Sequence, residues 1–140
     1  MAEKLYSLIE HTADMGIRIK GRDIREVFRK SAQATFSIIA HQERVRQPGK
    51  VSFNIELKSA NLEELLVDWL NELLFLSSAK EAIFSDFKLL KITERTLQAV
   101  VCGSSAANYR MKTEIKAATY HGLSLKKIPR GWQAEVIFDL

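Results

Sequence analysis

The residues best suited to chemistry lie in short polar breaks within apolar sequence. In "IEHTADMGIRIKG", residues 9–21, an apolar run closes at Ile9, and a strand-like alternation resumes with Ile17 and Ile19 against Arg18 and Lys20. Between them stand His11, Thr12, Ala13 and Asp14, a polar interruption that strand periodicity does not require. At the far end, "AEVIFDL" carries strand-forming residues up to Asp139 and Leu140, where chain ends are usually polar and frayed. The Asp139 side chain and the main-chain carboxylate of Leu140 would repel unless solvent or a cation offset their charge. The ordinary alternative is a last strand with an exposed aspartate.

Other candidates are weaker. "LLVDWLNELLF", residues 65–75, sets Asp68, Asn71 and Glu72 on one stripe of a helix, which reads most simply as its solvated face, with Trp69 in the core. "ATYHGLSL", residues 118–125, places His121 and Gly122 inside a strand-like stretch; the glycine marks a bulge or tight turn, and the histidine suits a structural role better than ligation. Cys102 in "AVVCG" reads as a small strand residue, although a thiolate pair with His11 or His121 is a conceivable alternative. Glycine-rich phosphate loops, a G-x-S-x-G elbow, H-E-x-x-H and paired cysteines are all absent from the sequence.

The elements that must position these groups follow from periodicity. Ile24, Val27, Phe28, Ser31, Thr35, Ile38 and Ile39 recur at helical spacing, with Asp23 as cap and Glu26 able to pair with Lys30. Leu62, Leu65, Leu66, Trp69, Leu73 and Leu76 form a second helical stripe behind Asn61 and Glu64, a capping-box-like start. Leu70, Leu74 and Phe75 widen that stripe and predict a helix covered on more than one side. "VSFNIELK", "FKLLKI", "TLQAVVCG", "EIKAATYHGLSL" and "WQAEVIFD" read as strands, and Pro48-Gly49 and Pro129 to Gly131 as turns. The fold class expected is α+β, a mostly antiparallel sheet with two main helices packed on it, the stretch from Phe84 onward running as a meander.

Bulk properties bound the rest. A length of 140 residues suits one domain, and 46% apolar with 27% charged residues is ordinary for a globular protein. The single cysteine fits a reducing, cytoplasmic setting. No apolar run approaches a bilayer span, and the charged start "MAEKLYSLIEH" does not resemble a secretory signal. A net charge of +4 permits contact with nucleic acid or an acidic partner without demanding it. Arg18, Lys20, Arg22, Arg25, Arg29 and Lys30, and again Lys126, Lys127 and Arg130, gather the basic residues; a solvated face is the simpler account of them.

Taken together, "HTADMGIRIKG", "LLVDWLNELLF", "TEIKAATYHGL" and "WQAEVIFDL" resemble the archease family in order and spacing, across essentially the whole of residues 1–140. The resemblance is weakest in "HQERVRQPGK" and "CGSSAANYR". It implies a single domain of nested strand-helix-strand-strand modules. It implies a non-enzymatic protein cofactor of an RtcB-type RNA ligase in tRNA splicing and RNA repair, promoting guanylylation of the ligase and multiple turnover, with tRNA met only through the ligase. It implies a metal site joining Asp14, Asp139 and the Leu140 carboxylate, a hard oxygen set suited to Ca²⁺, Mg²⁺ or Mn²⁺. His11 and His121 are then candidates to orient the carboxylates, and Lys116 a candidate contact to ligase or nucleotide. The alternatives are a general chaperone or RNA-binding module using the basic face, and a metal-dependent hydrolase. Against the hydrolase, the sequence offers no separate nucleophile or base beyond the ligands except His121.

Overall fold

The structure, a computed structural model, describes residues 5–10, 14–44 and 50–140. His11 and the Pro48-Gly49 turn therefore lie outside the described residues. In chain order the elements are β1 (Ser7–Glu10), β2 (Asp14–Gly21), α1 (Ile24–Ile39), β3 (Ala40–Arg44), β4 (Lys50–Lys58), α2 (Leu62–Lys80), β5 (Ala82–Ile92), β6 (Thr96–Ser105), a 3₁₀ turn (Ala106–Asn108), β7 (Tyr109–Met111), β8 (Ala117–Ile128) and β9 (Gly131–Asp139).

Both helices start where local chemistry dictates. The Glu26 backbone N–H donates to the Asp23 carboxylate at 2.8 Å, and the Glu64 N–H donates to the Asn61 side-chain oxygen at 2.9 Å. Each satisfies a donor that the first helical turn leaves open. Behind these caps the apolar stripes go inside: Val27, Phe28, Phe36, Leu65, Leu66, Trp69, Leu70 and Leu73 are buried. Phe75 is the exception, 64% exposed at the widened edge of the α2 stripe.

The strands form a four-stranded sheet in the order β1-β2-β9-β8, a three-stranded sheet in the order β4-β6-β5, and a β3-β7 ribbon, with every pairing antiparallel. Two modules emerge. In the outer one, β2 leads to α1 and the β8-β9 hairpin closes the sheet. The inner one, β4-α2-β5-β6, is inserted between α1 and β8. In each, the last strand pairs with the first and lies in the middle. The stretch from Phe84 onward is consequently antiparallel but not one meander: β6 returns to β4, β7 crosses to β3, and β8 begins a hairpin in the other sheet. Alternation fixes which face a strand buries, not which strand it joins.

The helices are the seam. Both pack on strands of both sheets, α1 against β2 and β5, α2 against β8, β5 and β4. The indole N–H of Trp69 donates to the Phe28 carbonyl at 3.0 Å, which satisfies the one polar atom of the largest buried side chain. Around it Phe36, Phe84 and Phe87 meet ring to ring, so a single core spans both modules.

Candidate functional site

Asp14 is the first residue of β2 and Asp139 the last of β9, and the sheet register sets them directly opposite one another. Cross-strand partners present their side chains on the same face with Cβ atoms about 5 Å apart, and two like charges so placed repel. Asp14 is half-buried and Asp139 exposed, with Leu140 immediately beyond. Residues 125 positions apart in the chain thus share one rung because β9 is the central strand and β2 its neighbour.

The main chain of β9 is held at this rung from its other side as well. Ala117 of β8 is the second cross-strand partner of Asp139, and the Lys116 backbone N–H donates to the Asp139 carbonyl at 2.9 Å. The Lys116 side chain is exposed and borders a groove of about 960 Å³ shared with Asn71, Phe75, Met111 and Lys112.

The free edge of β8 is clamped by α2. The Asn71 amide donates to the Ala118 carbonyl at 3.0 Å, and the Ala118 N–H donates to the Asn71 oxygen at 2.8 Å. One side chain therefore takes the place of a neighbouring strand. The stripe containing Asp68, Asn71 and Glu72 is consequently not a solvated face. Asp68 accepts from the Ser59 hydroxyl at 2.5 Å, and all three residues are half-buried. Partial desolvation, then the carboxylates of Asp68 and Glu64, raise the Tyr120 phenol above its ordinary value, which puts Tyr120 of β8 beside the same stripe. Asn71 is the supporting residue that sequence reasoning assigned to solvent.

His121 lies in the bulge between Thr119 and Ser124, where β8 loses register with β9. Gly122 there has φ +65°, and a Cβ at that position would lie 2.8 Å from Ile137 Cδ1, so glycine is needed both for the turn and for the close approach. The bulge covers Ile137, two residues before Asp139, and leaves His121 exposed. Cys102 is half-buried on β6 opposite Ser52, in the other sheet from His121, so the structure does not bring those two together.

Among the described residues no set of three or more His, Cys, Asp or Glu side chains converges to hold a metal. The donors present at the Asp14–Asp139 rung nevertheless fit a hard cation: two carboxylates on one face, the Leu140 main chain adjacent, and Asp139 exposed on the side from which water would complete a shell. They do not suit a soft metal, which would want sulfur or several imidazoles.

The model of the archease protein family matches residues 6–140. The archease of Methanosarcina mazei is 38% identical over 143 aligned positions, covering 98% of this chain and 97% of that one. The solution structure of Methanobacterium thermoautotrophicum protein 1598 superposes with a TM-score of 0.74 at 27% identity, over 96% of this chain and 98% of that one. The crystal structure of a Thermotoga maritima archease, described as a possible chaperone, has a TM-score of 0.62 at 22% identity over 100% and 98% of the two chains, a likeness of fold. Matched over nearly its whole length by the family model and by a relative of more than one-third identity, the chain belongs to the archease family.

Proposed function

We propose that this chain is a non-enzymatic activator of an RtcB-type RNA ligase, and that it holds a divalent cation between Asp14 and Asp139, beside Leu140. Family membership makes the activator role the first hypothesis. The observation that carries the metal part is the β2-β9 register, which sets the two aspartates on one rung. An oxygen-bound cation there would neutralise converging negative charge and leave coordination positions for a partner's oxygens. Exposed Lys116 lies beside that rung and could meet a phosphate or carboxylate of the partner; His121 and His11 are candidates to orient the aspartates. Speeding guanylylation requires that the bound activator favour the reactive arrangement of the ligase over its resting one, since equally tight binding of both would not accelerate the step. Such a role places the protein in the cytoplasm with its ligase. Among the described residues no helix is long and apolar enough to cross a membrane.

The test has two readouts. Ca²⁺ or Mn²⁺ should raise the melting temperature, a ligand at a hundredfold its Kd stabilising by about 2.7 kcal/mol, and Asp14→Asn or Asp139→Asn should remove most of the rise. With a cognate ligase, GTP and Mn²⁺, substoichiometric wild type should accelerate ligase labelling and add ligation turnovers without being labelled itself. Unchanged ligase labelling across several metals would end the activator reading. The chaperone reading gains from exposed Phe75 and Met111, apolar side chains of the kind that meet unfolded clients. It would be favoured instead if the chain suppressed aggregation of unrelated proteins while leaving ligase labelling unchanged.

A further inference from the structure

The β2-β9 pair has a second end. Seven residue steps separate Asp14 from Gly21 along β2, which at about 3.3 Å each puts the far end about 23 Å from the aspartate rung. There β2 passes into α1, and the β8-β9 hairpin turns through Pro129 and Arg130. Between the two lies a cleft of about 680 Å³ whose wall includes Lys20, Arg22, Lys30 and Arg130, with Glu26 as its one carboxylate.

Glu26 is already committed. It accepts from Arg22 at 2.8 Å, lies 3.3 Å from the Lys30 ammonium and 3.8 Å from the Arg29 guanidinium. One carboxylate thus holds three cations in place without neutralising them. Lys20 and Arg130 make no ion pair among the described residues, and both are exposed. At the hairpin, Lys127 sits over the Trp132 ring, its Nζ 5.9 Å from the ring centre, which adds a further positioned cation beside the turn.

We infer that this cleft is a seat for the phosphodiester backbone of a nucleic-acid strand, distinct from the aspartate rung and at the opposite end of the same strand pair. The alternative of an acidic protein partner is disfavoured by what the cleft lacks. Protein interfaces are anchored by large apolar or aromatic side chains at their centre. None of the exposed large hydrophobic residues, Leu8, Phe75, Leu90, Met111, Tyr120 and Leu140, lines it. The apolar part of its lining is Ile128 and Pro129 of the hairpin, with no aromatic side chain, and several cations around such a concave surface suit a ligand whose recognition is mainly charge. The inference does not rest on the ligase reading: a strand held here would be bound by the chain alone and without metal.

The experiment is fluorescence anisotropy with a labelled twenty-nucleotide uridine oligomer and its deoxythymidine counterpart, from 25 to 200 mM salt in EDTA, on the full chain without any ligase. Four cleft cations less Glu26 neutralise about three phosphates, so log K should fall with log salt at a slope of about −2. Lys20→Gln with Arg130→Gln should bring the slope to about −1 and weaken binding about tenfold or more at low salt, with an unchanged melting temperature. Lys58→Gln with Lys80→Gln, an equal charge loss elsewhere on the surface, should alter the slope by much less. Binding by the RNA oligomer alone, or by both, supports the inference, the difference reporting any contact with the 2′-hydroxyl. No binding of either at 25 mM salt, an unchanged slope in the cleft variant, or equally tight binding of a polyglutamate chain of matched charge would overturn it. Loss of ligase stimulation with RNA binding intact would count against the proposed activator role and not against the cleft.

Discussion

The outer module, β2-α1-β8-β9, and the inserted module, β4-α2-β5-β6, follow one path: strand, helix, then a hairpin whose second arm lies between the other two strands. Their matching rungs carry different chemistry. Where the outer module sets Asp14 opposite Asp139, the inner one sets Lys50 opposite Ser104. The helices diverge in the same sense. α1 is amphipathic, with Arg22, Arg25, Arg29 and Lys30 on or beside it, whereas α2 is apolar on most sides and turns its polar stripe to β8. One topology therefore serves two purposes. Both copies contribute to the shared core, and the outer copy in addition carries charge at both ends of its central strand pair.

Two strand glycines, one from each module, should differ in their tolerance of added side-chain volume. Gly103 lies on the central strand of the inner module, where a Cβ would fall 2.0 Å from the Ile83 carbonyl oxygen and 2.8 Å from the Phe84 Cα. Those obstacles are backbone and cannot swing aside. Gly103→Ala should cost about 4 kcal/mol or more, seen as loss of a cooperative thermal transition. Gly16, on β2 of the outer module, would set its Cβ 3.0 Å from the Ile9 side chain, so Gly16→Ala should cost only about 1–2 kcal/mol. Similar costs at the two sites would mean that the backbone around Gly103 gives way as readily as the Ile9 side chain.

Asn71 is where the modules lock together. Asn71→Ala leaves the Ala118 N–H and carbonyl without their partners at the β8 edge, at a cost of about 2 kcal/mol. Urea denaturation would report it, and faster hydrogen exchange at the Ala118 amide would localise it. Asn71→Asp keeps the acceptor and loses the donor, and should fall between. Exchange unaltered at Ala118 would show that β8 holds its place without the helix.

These residues also show what sequence could and could not disclose. The helix starts were legible because Asp23 with Glu26, and Asn61 with Glu64, act within one turn. The faces of the strands were legible from alternation. The nesting was not legible from periodicity, because the pairing of β2 with β9 spans nearly the whole chain and leaves no local mark; only resemblance supplied it. Asn71 misled for a different reason. A polar stripe has the same spacing whether it meets water or the open edge of a strand, and the one available hint was that α2 is apolar on its other faces. Phe75 failed in the opposite direction, an apolar side chain at helical spacing that the fold leaves exposed.

Acid should act on the outer module through Glu26. Its hydrogen bond from Arg22 is the largest cause, and with Lys30 and the Arg22 backbone N–H it outweighs burial and holds the carboxyl down to about 2, from an ordinary 4.5. The folded value is depressed, so the stabilisation is complete above the unfolded value and is lost as pH falls from about 4.5 to about 2. Glu26→Gln should flatten that part of the acid-denaturation curve and lower stability at neutral pH. A variant as steep as wild type between those pH values would mean that the Arg22 contact adds nothing to the folded state.

The smallest effect separates the two helix ends by sign. α1 runs into β3 through Ala40, which is extended at φ −144°, ψ 152° and fully buried. α2 stops at Glu81, left-handed at φ 49°, ψ 50°, its N–H donating to the Ser77 and Ser78 carbonyls and its own carbonyl accepting from Ala106 at 2.8 Å. Those bonds fix a conformation that strains any residue with a Cβ and that helix ends usually assign to glycine. The Glu81 side chain is exposed and its removal gives up little packing. Glu81→Gly should therefore stabilise, by about 0.5–1 kcal/mol once the greater freedom of glycine in the unfolded chain is set against the relieved strain. Ala40→Gly makes the same change of type where no strain exists and a buried methyl group is lost, so it should destabilise by about 1–2 kcal/mol. Urea midpoints at unchanged m-value would measure both. Opposite signs would show that the inner module's turn carries backbone strain absent from the outer one. A loss of stability in Glu81→Gly would mean instead that the bonds to Ser77, Ser78 and Ala106 hold a turn in which the glutamate is not strained.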